Sequence, residues 1–258
     1  MKRLRLALVR LLALVLIAFL ALQAYFLIRV AAMRVVNPQS TTFQRSEAGR
    51  LLATHCKVLW SQSWVDYEQI SDHLKRAVIT SEDAGFADHS GIEWDALEQA
   101  FERNQRAQER AAKLNERLDR RTAAPARNAA APRVQPRLVG GSTITQQLAK
   151  NLFLSGERSV MRKAQEFVIT LMLEALLSKR RILEIYLNNV EWGEGLFGAQ
   201  AAARHYFQVD AARLSPLQAA QLAVMLPAPK RFEKRPNSPY VQGRAGTVAA
   251  RMEGIDLP

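Results

Sequence analysis

The first pattern in the chain is an apolar run near the N-terminus. Residues 11–28 read LLALVLIAFLALQAYFLI, in which Gln23 is the only strongly polar residue. At about 1.5 Å per residue, a helix of this length crosses the roughly 30 Å hydrocarbon core of a bilayer. The run therefore predicts a transmembrane anchor over residues 11–33. A cleaved signal peptide is the alternative, because "VAA" at 30–32 resembles a cleavage site, although the run is longer than a usual signal.

Basic residues flank this run unequally. Those before it are Lys2, Arg3, Arg5 and Arg10, and those directly after it are Arg29 and Arg34. The positive-inside rule then keeps residues 1–10 in the cytoplasm as a basic N-terminus. Residues 34–258 would lie on the other side of the membrane, which argues against nucleic acid as a partner.

Behind the anchor, apolar residues recur at helical spacing. In YEQISDHLKRAVITSED the residues on one face are Ile70, Leu74, Ala77 and Val78. The helix that this spacing predicts ends in a short segment, SEDAGFADHSG, that contains Glu82 and Asp83. Alternating strand patterns are short and few, so the predicted fold class is mainly α.

A second helical stretch, VMRKAQEFVITLMLEALL, carries two stripes. We interpret the apolar stripe as core; it contains Val160, Ala164, Phe167, Val168, Leu171, Met172, Ala175 and Leu176. The polar stripe, with residues three or four apart, contains Arg162, Lys163, Glu166 and Thr170. An isolated Arg162–Glu166 pair would be a surface salt bridge of little consequence. Here, however, two cations and a carboxylate converge on one face.

The stretch GGSTITQQLAKNLFL predicts a capped helix. Ser142 or Thr143 can cap it, and Gln146, Gln147 and Lys150 then fall on adjacent turns. The free N–H groups at such a helix start suit an anion. The alternative is an ordinary capped helix whose lysine faces water.

Residues 102–137 differ in composition from their surroundings. A charge-rich helical piece is followed by Ala, Pro and Arg with almost nothing apolar to bury. We interpret the segment as a mobile, charged insertion within the domain of residues 34–258.

Charge and cysteine content narrow the partners further. Lys and Arg number 36 against 24 Asp and Glu, a net charge of +12, which favours anionic partners such as lipid phosphates. The single cysteine, Cys56, excludes an internal disulfide framework and a cysteine-based zinc site. We interpret Cys56 as a structural thiol.

Five segments together resemble a known family. They are TSEDAGFADHSG, GGSTITQQLAKNLFL, RKAQEFVITLMLE, ILEIYLNNVEWGEGLFGAQAAARHYF and LAVMLPAPKRF. Their order and spacing, over roughly residues 65–245, are similar to those of the peptidoglycan glycosyltransferases, glycosyltransferase family 51. The resemblance is strongest to the monofunctional branch found in Gram-negative bacteria, since the length leaves no room for a transpeptidase domain.

The resemblance implies a lysozyme-like helical glycosyltransferase domain beside the membrane. Such an enzyme polymerises lipid II into β-1,4-linked glycan strands and releases undecaprenyl diphosphate. The implied location is the bacterial inner membrane, with a single span, a cytoplasmic N-terminus and a periplasmic catalytic domain. The implied partners are lipid II, the growing glycan strand, the membrane, and cell-wall synthesis and division proteins.

Carried over by position, the resemblance assigns roles to individual residues. Glu82 matches the catalytic base and Glu166 a second essential carboxylate. Residues that contact substrate are Asp83, Ser142, Thr143, Gln147, Lys150, Arg162 and Lys163, although Ser142 and Thr143 could merely cap. Residues of structural motifs are Phe86, His89, Gly91, Glu174 and Asn188; His89 is read as a hydrogen-bonded residue more readily than as a proton carrier.

The implied chemistry needs no cofactor and no protein-bound metal. A diphosphate leaves as an anion, so Lys150, Arg162 and Lys163 can replace a general acid. Glu166 could orient these cations, assist charge development or hold a divalent cation, Mg²⁺ or Mn²⁺, at the diphosphate. Two other functions stay open: a catalytically silent membrane-anchored scaffold, and a lytic glycosidase on a lysozyme-like fold.

Some positions depart from the family pattern. Thr170 stands where a small apolar residue is usual, and Gln200 and Gln218 stand where relatives often carry Glu. Val139 replaces a common basic residue, and the insertion is long. These departures bear on the substrate-binding flap and remove no catalytic group.

Overall fold

The computed structural model describes residues 2–55, 59–122, 133–135, 141–154, 156–157 and 159–258. Cys56, Val139 and the end of the predicted insertion lie outside these residues. The chain forms two compact units: one combines Met1–Gly91 with Thr143–Pro258, and the other is Ile92–Ser142. Helices dominate the described residues, so the mainly α fold class is confirmed.

The larger unit contains ten of the helices that the structure describes and a small sheet. Its helices are α1 (Lys2–Ala32), α2 (Thr42–His55), α3 (Asp72–Glu82), α5 (Ile144–Phe153), α6 (Val160–Leu176), α7 (Lys179–Asn189), α8 (Ala199–Phe207), α9 (Pro216–Met225), α10 (Pro229–Phe232) and α11 (Pro239–Arg251). Its strands are β1 (Ser61–Gln62), β2 (Glu191–Gly193) and β3 (Leu196–Phe197). Single 3-10 turns are Tyr67–Gln69, Ala211–Arg213 and Met252–Gly254.

Helix α1 is long and apolar enough to cross a membrane, the only such helix in the described residues, with a mean hydropathy of 2.7 in its most apolar window. Its last turns contact the rest of the unit. The Gln23 and Gln165 amides exchange two hydrogen bonds of 2.9 and 3.0 Å, and the Phe26 ring lies edge-on to Phe153 at 5.4 Å. Phe26 and Val30 are buried there, whereas the earlier part of α1 is exposed.

The core lies between α3, α9 and α11, with α7 beside it. The predicted apolar face of α3 is buried through Ile70, Leu74, Ala77 and Val78. Trp192 is fully buried, and its Nε1 donates to the Leu222 carbonyl at 3.1 Å, so the one polar atom of this ring is satisfied. This core fixes the end of α3, where the segment with Glu82 begins.

The small sheet joins the ends of α2 and α7. Its order is β1–β3–β2, with β1 parallel and β2 antiparallel to β3. The chain after β1 is held by Asn188, whose Oδ1 accepts from the Val65 N–H at 2.9 Å and whose Nδ2 donates to the Val65 carbonyl at 2.9 Å. Gly198 has a φ of 82°, and a Cβ there would lie 2.7 Å from the Asn188 carbonyl oxygen.

The interpretation of the α6 apolar stripe as core is wrong for most of its length, although Met172 and Leu176 are half-buried and pack against the core. Val160, Phe167 and Leu171 are exposed, Val160 to 86% of its surface, whereas the buried face of α6 carries Glu166, Ile169, Thr170 and Leu173. The polar residues can face inward because Glu166 is neutralised by cations of its own helix and Thr170 Oγ1 donates to the Glu166 carbonyl at 2.8 Å. Most of the apolar stripe is left outside, as on surfaces that meet a membrane or a partner.

The smaller unit is built on α4, Trp94–Thr122. Pairs one turn apart, such as Arg106 and Glu102 at 3.1 Å, line its exposed surface. The Asn115 amide binds both backbone groups of Val134, which places Val134 beside this helix. The first part of the predicted insertion is therefore a helix that begins before residue 102; its mobility stays a prediction.

Candidate active site

Helix α3 carries Glu82 as its last residue. The helix begins at a Ser71 cap, whose Oγ accepts from the His73 N–H at 3.2 Å, and its buried apolar face fixes its direction. After Glu82 the backbone leaves the helical conformation at Asp83, with φ −163° and ψ 73°. Glu82 therefore stands at a helix end while Asp83 turns into the protein.

Asp83 ties this helix end to the start of α5. One of its carboxylate oxygens accepts from the Ile144 N–H at 2.9 Å, and the other contacts His89 Nε2 at 2.8 Å. Because the Gly91 N–H donates to His89 Nδ1 at 3.0 Å, a neutral His89 carries its proton on Nε2 and donates it to Asp83. The Asp83 side chain is only 1% exposed. These contacts favour a positioning role for Asp83 over the substrate contact predicted for it.

A second set of contacts holds the Gly91 turn. Thr143 Oγ1 donates to the Gly91 carbonyl at 2.6 Å and also caps α5 by accepting from the Gln146 N–H. Gly91 has a φ of 84°, and a Cβ there would lie 2.8 Å from side-chain carbons of Glu174 and Thr170. Only glycine fits this position without displacement. Thr143 thus caps and braces, the alternative that the sequence left open for it.

Glu174 and Phe86 also stabilise the segment around His89 and Gly91. Glu174 Oε1 accepts from Thr145 Oγ1 at 2.6 Å and from Lys179 Nζ at 2.9 Å. Lys179 Nζ also donates to the His89 carbonyl and lies 4.6 Å from the centre of the buried Phe86 ring. One connected set of contacts next to Glu82 therefore contains the residues predicted to be structural, Phe86, His89, Gly91 and Glu174.

Glu82 itself is held by Gln147. The Gln147 Nε2 donates to Glu82 Oε2 at 2.9 Å, and the buried Tyr186 hydroxyl donates to Gln147 Oε1 at 3.0 Å. Tyr186 thereby fixes which end of the amide faces the carboxylate. Burial raises the pKa of Glu82 and Asp83 adds to the rise, while the Gln147 hydrogen bond and Lys150 oppose it. A carboxyl with a raised pKa accepts a proton more readily than an exposed one does.

The cations predicted for α6 gather around Glu166. Arg162 Nη1 donates to Glu166 Oε2 at 2.7 Å, and Lys163 Nζ donates to Oε1. Within the described part of the chain, Arg162 Nε is buried and has no hydrogen-bond partner. Because both Glu166 oxygens are engaged by cations, a divalent metal ion at Glu166 would have to compete with Arg162 and Lys163.

Lys150 lies within electrostatic range of both carboxylates, Glu82 and Glu166. Desolvation lowers the pKa of Lys150, and the positive charges of Arg162 and Lys163 lower it further. The carboxylates of Glu166 and Glu82 oppose this decrease. Helix α5, which carries Lys150, packs against α6. Lys150 makes no hydrogen bond or ion pair with any residue that the structure describes, and its side chain reaches solvent. The site thus combines a half-buried base with an ammonium that no described residue pairs with directly.

Among the predicted residues, Asn188 lies apart from this cluster. Asn188 is buried and bound to Val65 and to the Glu184 carbonyl, which fits its structural assignment. Ser142 belongs to the smaller unit and immediately precedes the Thr143 cap.

Two of the positions that depart from the family pattern are glutamines. Gln200 binds Asp210 and the Ala211 N–H, and Gln218 completes a capping box with Ser215. Both glutamines are therefore structural.

Sequence reasoning missed Tyr186 and a second charged cluster. Tyr186 sits in an apolar helical stretch and reads as core; only its polar hydroxyl could have signalled a partner. The second cluster joins α2, β2 and α10, because Lys230 contacts both buried carboxylates, Glu47 and Glu191, the latter at 3.5 Å. Burial raises the pKa of Glu191 to about 7 against the opposing charge of Lys230. No local motif pairs these residues.

Comparison with known proteins identifies the family of the chain. The transglycosylase family model matches residues 49–112 and 119–253. A biosynthetic peptidoglycan transglycosylase of Burkholderia thailandensis is 49% identical over 242 residues, 93% of this chain and 84% of the relative. Those of Paraburkholderia xenovorans and Cupriavidus metallidurans are each 47% identical, covering 95% and 94% of this chain and 91% and 94% of the relatives. The chain therefore belongs to the transglycosylase family and is a glycosyltransferase of peptidoglycan biosynthesis.

Proposed function

We propose that this enzyme polymerises lipid II into β-1,4-linked glycan strands and releases undecaprenyl diphosphate. The observation that carries the proposal is the pairing of a half-buried base, Glu82, with Lys150, an ammonium that makes no hydrogen bond or ion pair with the described residues. A base and a separate anion site are what transfer from a sugar diphosphate to a hydroxyl requires.

In the proposed step, Glu82 takes the proton of the acceptor hydroxyl as that oxygen attacks the anomeric carbon of the donor. The new C–O bond forms as the bond to the diphosphate breaks, and its electron pair leaves with the diphosphate. Attack opposite an α-linked leaving group inverts the configuration and gives a β linkage. Glu82 ends the step protonated and returns its proton to solvent.

The cations on α5 and α6 would stabilise the departing diphosphate. Lys150 offers an unshared positive charge, and the buried Arg162 Nε offers an N–H without a protein acceptor in the described residues. An unsatisfied buried donor is costly, so a ligand oxygen there would bring a gain in binding free energy. Glu166 would then hold Arg162 and Lys163 in place rather than take a proton, and Mg²⁺ or Mn²⁺ would be an optional assistant.

We further propose that α1 anchors the enzyme in the bacterial inner membrane. The N-terminus would be cytoplasmic and the catalytic domain periplasmic, where lipid II is exposed. The exposed apolar stripe of α6 and the contact between Gln23 and Gln165 support a domain held against the bilayer. Cell-wall synthesis and division proteins would then be encountered in the same membrane.

Polymerisation of labelled lipid II by the full chain tests the proposal. Glu82→Gln keeps the shape of the side chain but cannot take the proton, so turnover should fall at least about 100-fold. Binding of moenomycin, the family's substrate-mimicking inhibitor, should largely survive. Glu166→Gln should reduce turnover and also weaken moenomycin, because Arg162 and Lys163 lose their shared partner.

The same assay separates the other two functions. Cleavage of added glycan strands would indicate a lytic glycosidase, and neither synthesis nor cleavage would indicate a silent scaffold. If Glu82→Gln kept more than about a tenth of the wild-type turnover, Glu82 would not be the base. Repeating the assay with EDTA tells whether a divalent cation contributes.

A further inference from the structure

A groove of about 290 Å³ lies where α1 ends. We name it the membrane-exit groove; the residues that matter to its chemistry are Arg29, Met33, Val36, Gln39, Ser40 and Arg45. It lies at the end of the apolar span, on the side that carries the catalytic domain. Both charged residues in its lining are arginines.

Both arginines are oriented by neutral groups. Arg45 Nη1 donates to Ser40 Oγ at 3.0 Å and its Nη2 donates to Thr42 Oγ1 at 3.0 Å. Arg29 Nη1 donates to the Tyr25 hydroxyl at 3.0 Å. Neither arginine makes an ion pair with a residue that the structure describes. Their charges are therefore directed but not neutralised by the protein.

The groove lining also contains an apolar strip at the end of α1, and this strip is firmly held. Ala32, Met33 and Val36 form it, and Val36 is 57% exposed. Arg181 holds this strip by donating from Nε to the Met33 carbonyl at 2.8 Å and from Nη2 to the Asn37 side-chain Oδ1 at 2.6 Å. An apolar strip and two guanidinium groups in one groove suit a ligand that is anionic at one end and hydrocarbon at the other.

We propose that the membrane-exit groove binds the phosphate headgroup of an anionic phospholipid. Arg29 and Arg45 hold the phosphate, Gln39 and Ser40 offer neutral hydrogen bonds, and the first methylenes of an acyl chain contact Met33 and Val36. A zwitterionic headgroup would bring its own cation toward the two arginines and would bind less well. The bound lipid would hold the start of the catalytic domain at the membrane surface, independently of the catalytic cluster.

Native mass spectrometry of the full chain in neutral detergent tests this site. The probe is phosphatidylglycerol, compared with phosphatidylcholine of the same chains. The double variant Arg29→Gln, Arg45→Gln should bind phosphatidylglycerol about 30-fold more weakly, equivalent to about 2 kcal/mol at about 1 kcal/mol per arginine. The matched control, Arg244→Gln with Arg251→Gln, removes the same charge from exposed positions on α11 and should bind as the wild type does.

Further arms distinguish the source of the phosphate. Inorganic phosphate in millimolar excess should leave bound phosphatidylglycerol in place; displacement would indicate a site for free anions and overturn the proposal. Displacement by equimolar lipid II would assign the groove to substrate and also overturn it. The single variant Arg45→Gln changes an exposed side chain, so it reports even if the double variant misfolds; binding equal to wild type would contradict the proposal.

Discussion

The carboxyl of Glu82 is subject to opposing influences. Burial and the neighbouring Asp83 raise its pKa, whereas the Gln147 hydrogen bond and the charge of Lys150 lower it. The base works only when ionised, so activity should rise with pH through the raised pKa of Glu82. Desolvation lowers the pKa of Lys150, so loss of its charge should end the active range on the alkaline side.

Removing the Gln147 hydrogen bond should move the acid limb of the pH profile. Gln147→Leu takes away an interaction that stabilises the ionised Glu82, so its pKa should rise further and the acid limb of kcat/KM should shift to higher pH. The measurement is the pH dependence of lipid II polymerisation, with Gln242→Leu on α11 as a remote control. An unchanged acid limb with lower activity at every pH would instead indicate that Gln147 only contacts substrate.

Glu191 should make the protein less stable as pH rises. Its pKa is raised from 4.5 to about 7 by burial, so the folded state holds the proton more tightly than the unfolded state does. Stability from this group is full below about pH 4.5 and declines until the pH passes about 7, by about 3 kcal/mol in all. Glu191→Gln should therefore raise the melting temperature relative to the wild type at pH 8 and much less at pH 5. A constant difference at the two pH values would contradict this.

At the scale of helices and strands, the positions of helices could be predicted from the sequence, but which face of a helix is buried could not. The Thr143 cap and the helical spacing of Ile70, Leu74 and Val78 are local patterns, so α5 and α3 could be placed from the sequence. The Ser71 cap was not predicted. The face of α6 could not, because its apolar stripe looks like core unless one knows that Gly91 and α5 lie on the Glu166 side. Likewise, Glu82 and Glu166 follow from motifs, whereas the partners Tyr186 and Lys230 arrive from distant helices.

The link from α7 to the chain after β1 depends on one amide. Asn188→Ala would leave both backbone groups of Val65 without their partner, which should lower the free energy of unfolding by about 2–4 kcal/mol. Asn189→Ala is the matched control: Asn189 is also buried, but it donates at 2.8 Å to the Ile185 carbonyl of its own helix, and its bonds from the Gln44 and Gln62 amides are long, 3.4 Å each. Thermal unfolding of both variants checks the prediction, and equal losses would mean that Asn188 acts only within α7.

For the molecule as a whole, the proposed function puts the anchor and the substrates in one membrane. Deleting residues 1–33 should lower turnover on lipid II in bilayers more than on lipid II in detergent, because the enzyme would no longer meet its substrates in two dimensions. A chain in which residues 2–28 are replaced by an unrelated apolar helix separates tethering from the Gln23 and Phe26 contacts. Equal losses on both substrates would show that α1 serves folding and not substrate encounter.

The paired amides of Gln23 and Gln165 determine how the catalytic domain is oriented relative to α1. A domain attached by a single helix can usually rotate relative to that helix about the membrane normal. Here the two hydrogen bonds and the Phe26–Phe153 contact fix the rotation of α1 relative to the rest of the larger unit. With α1 in the bilayer as proposed, the rotation of α1 about its own axis would set the orientation of the enzyme in the plane of the membrane. A protein that bound α1 within the membrane would thereby also orient the catalytic site. It would determine the direction, in the plane of the membrane, in which a new glycan strand is synthesised.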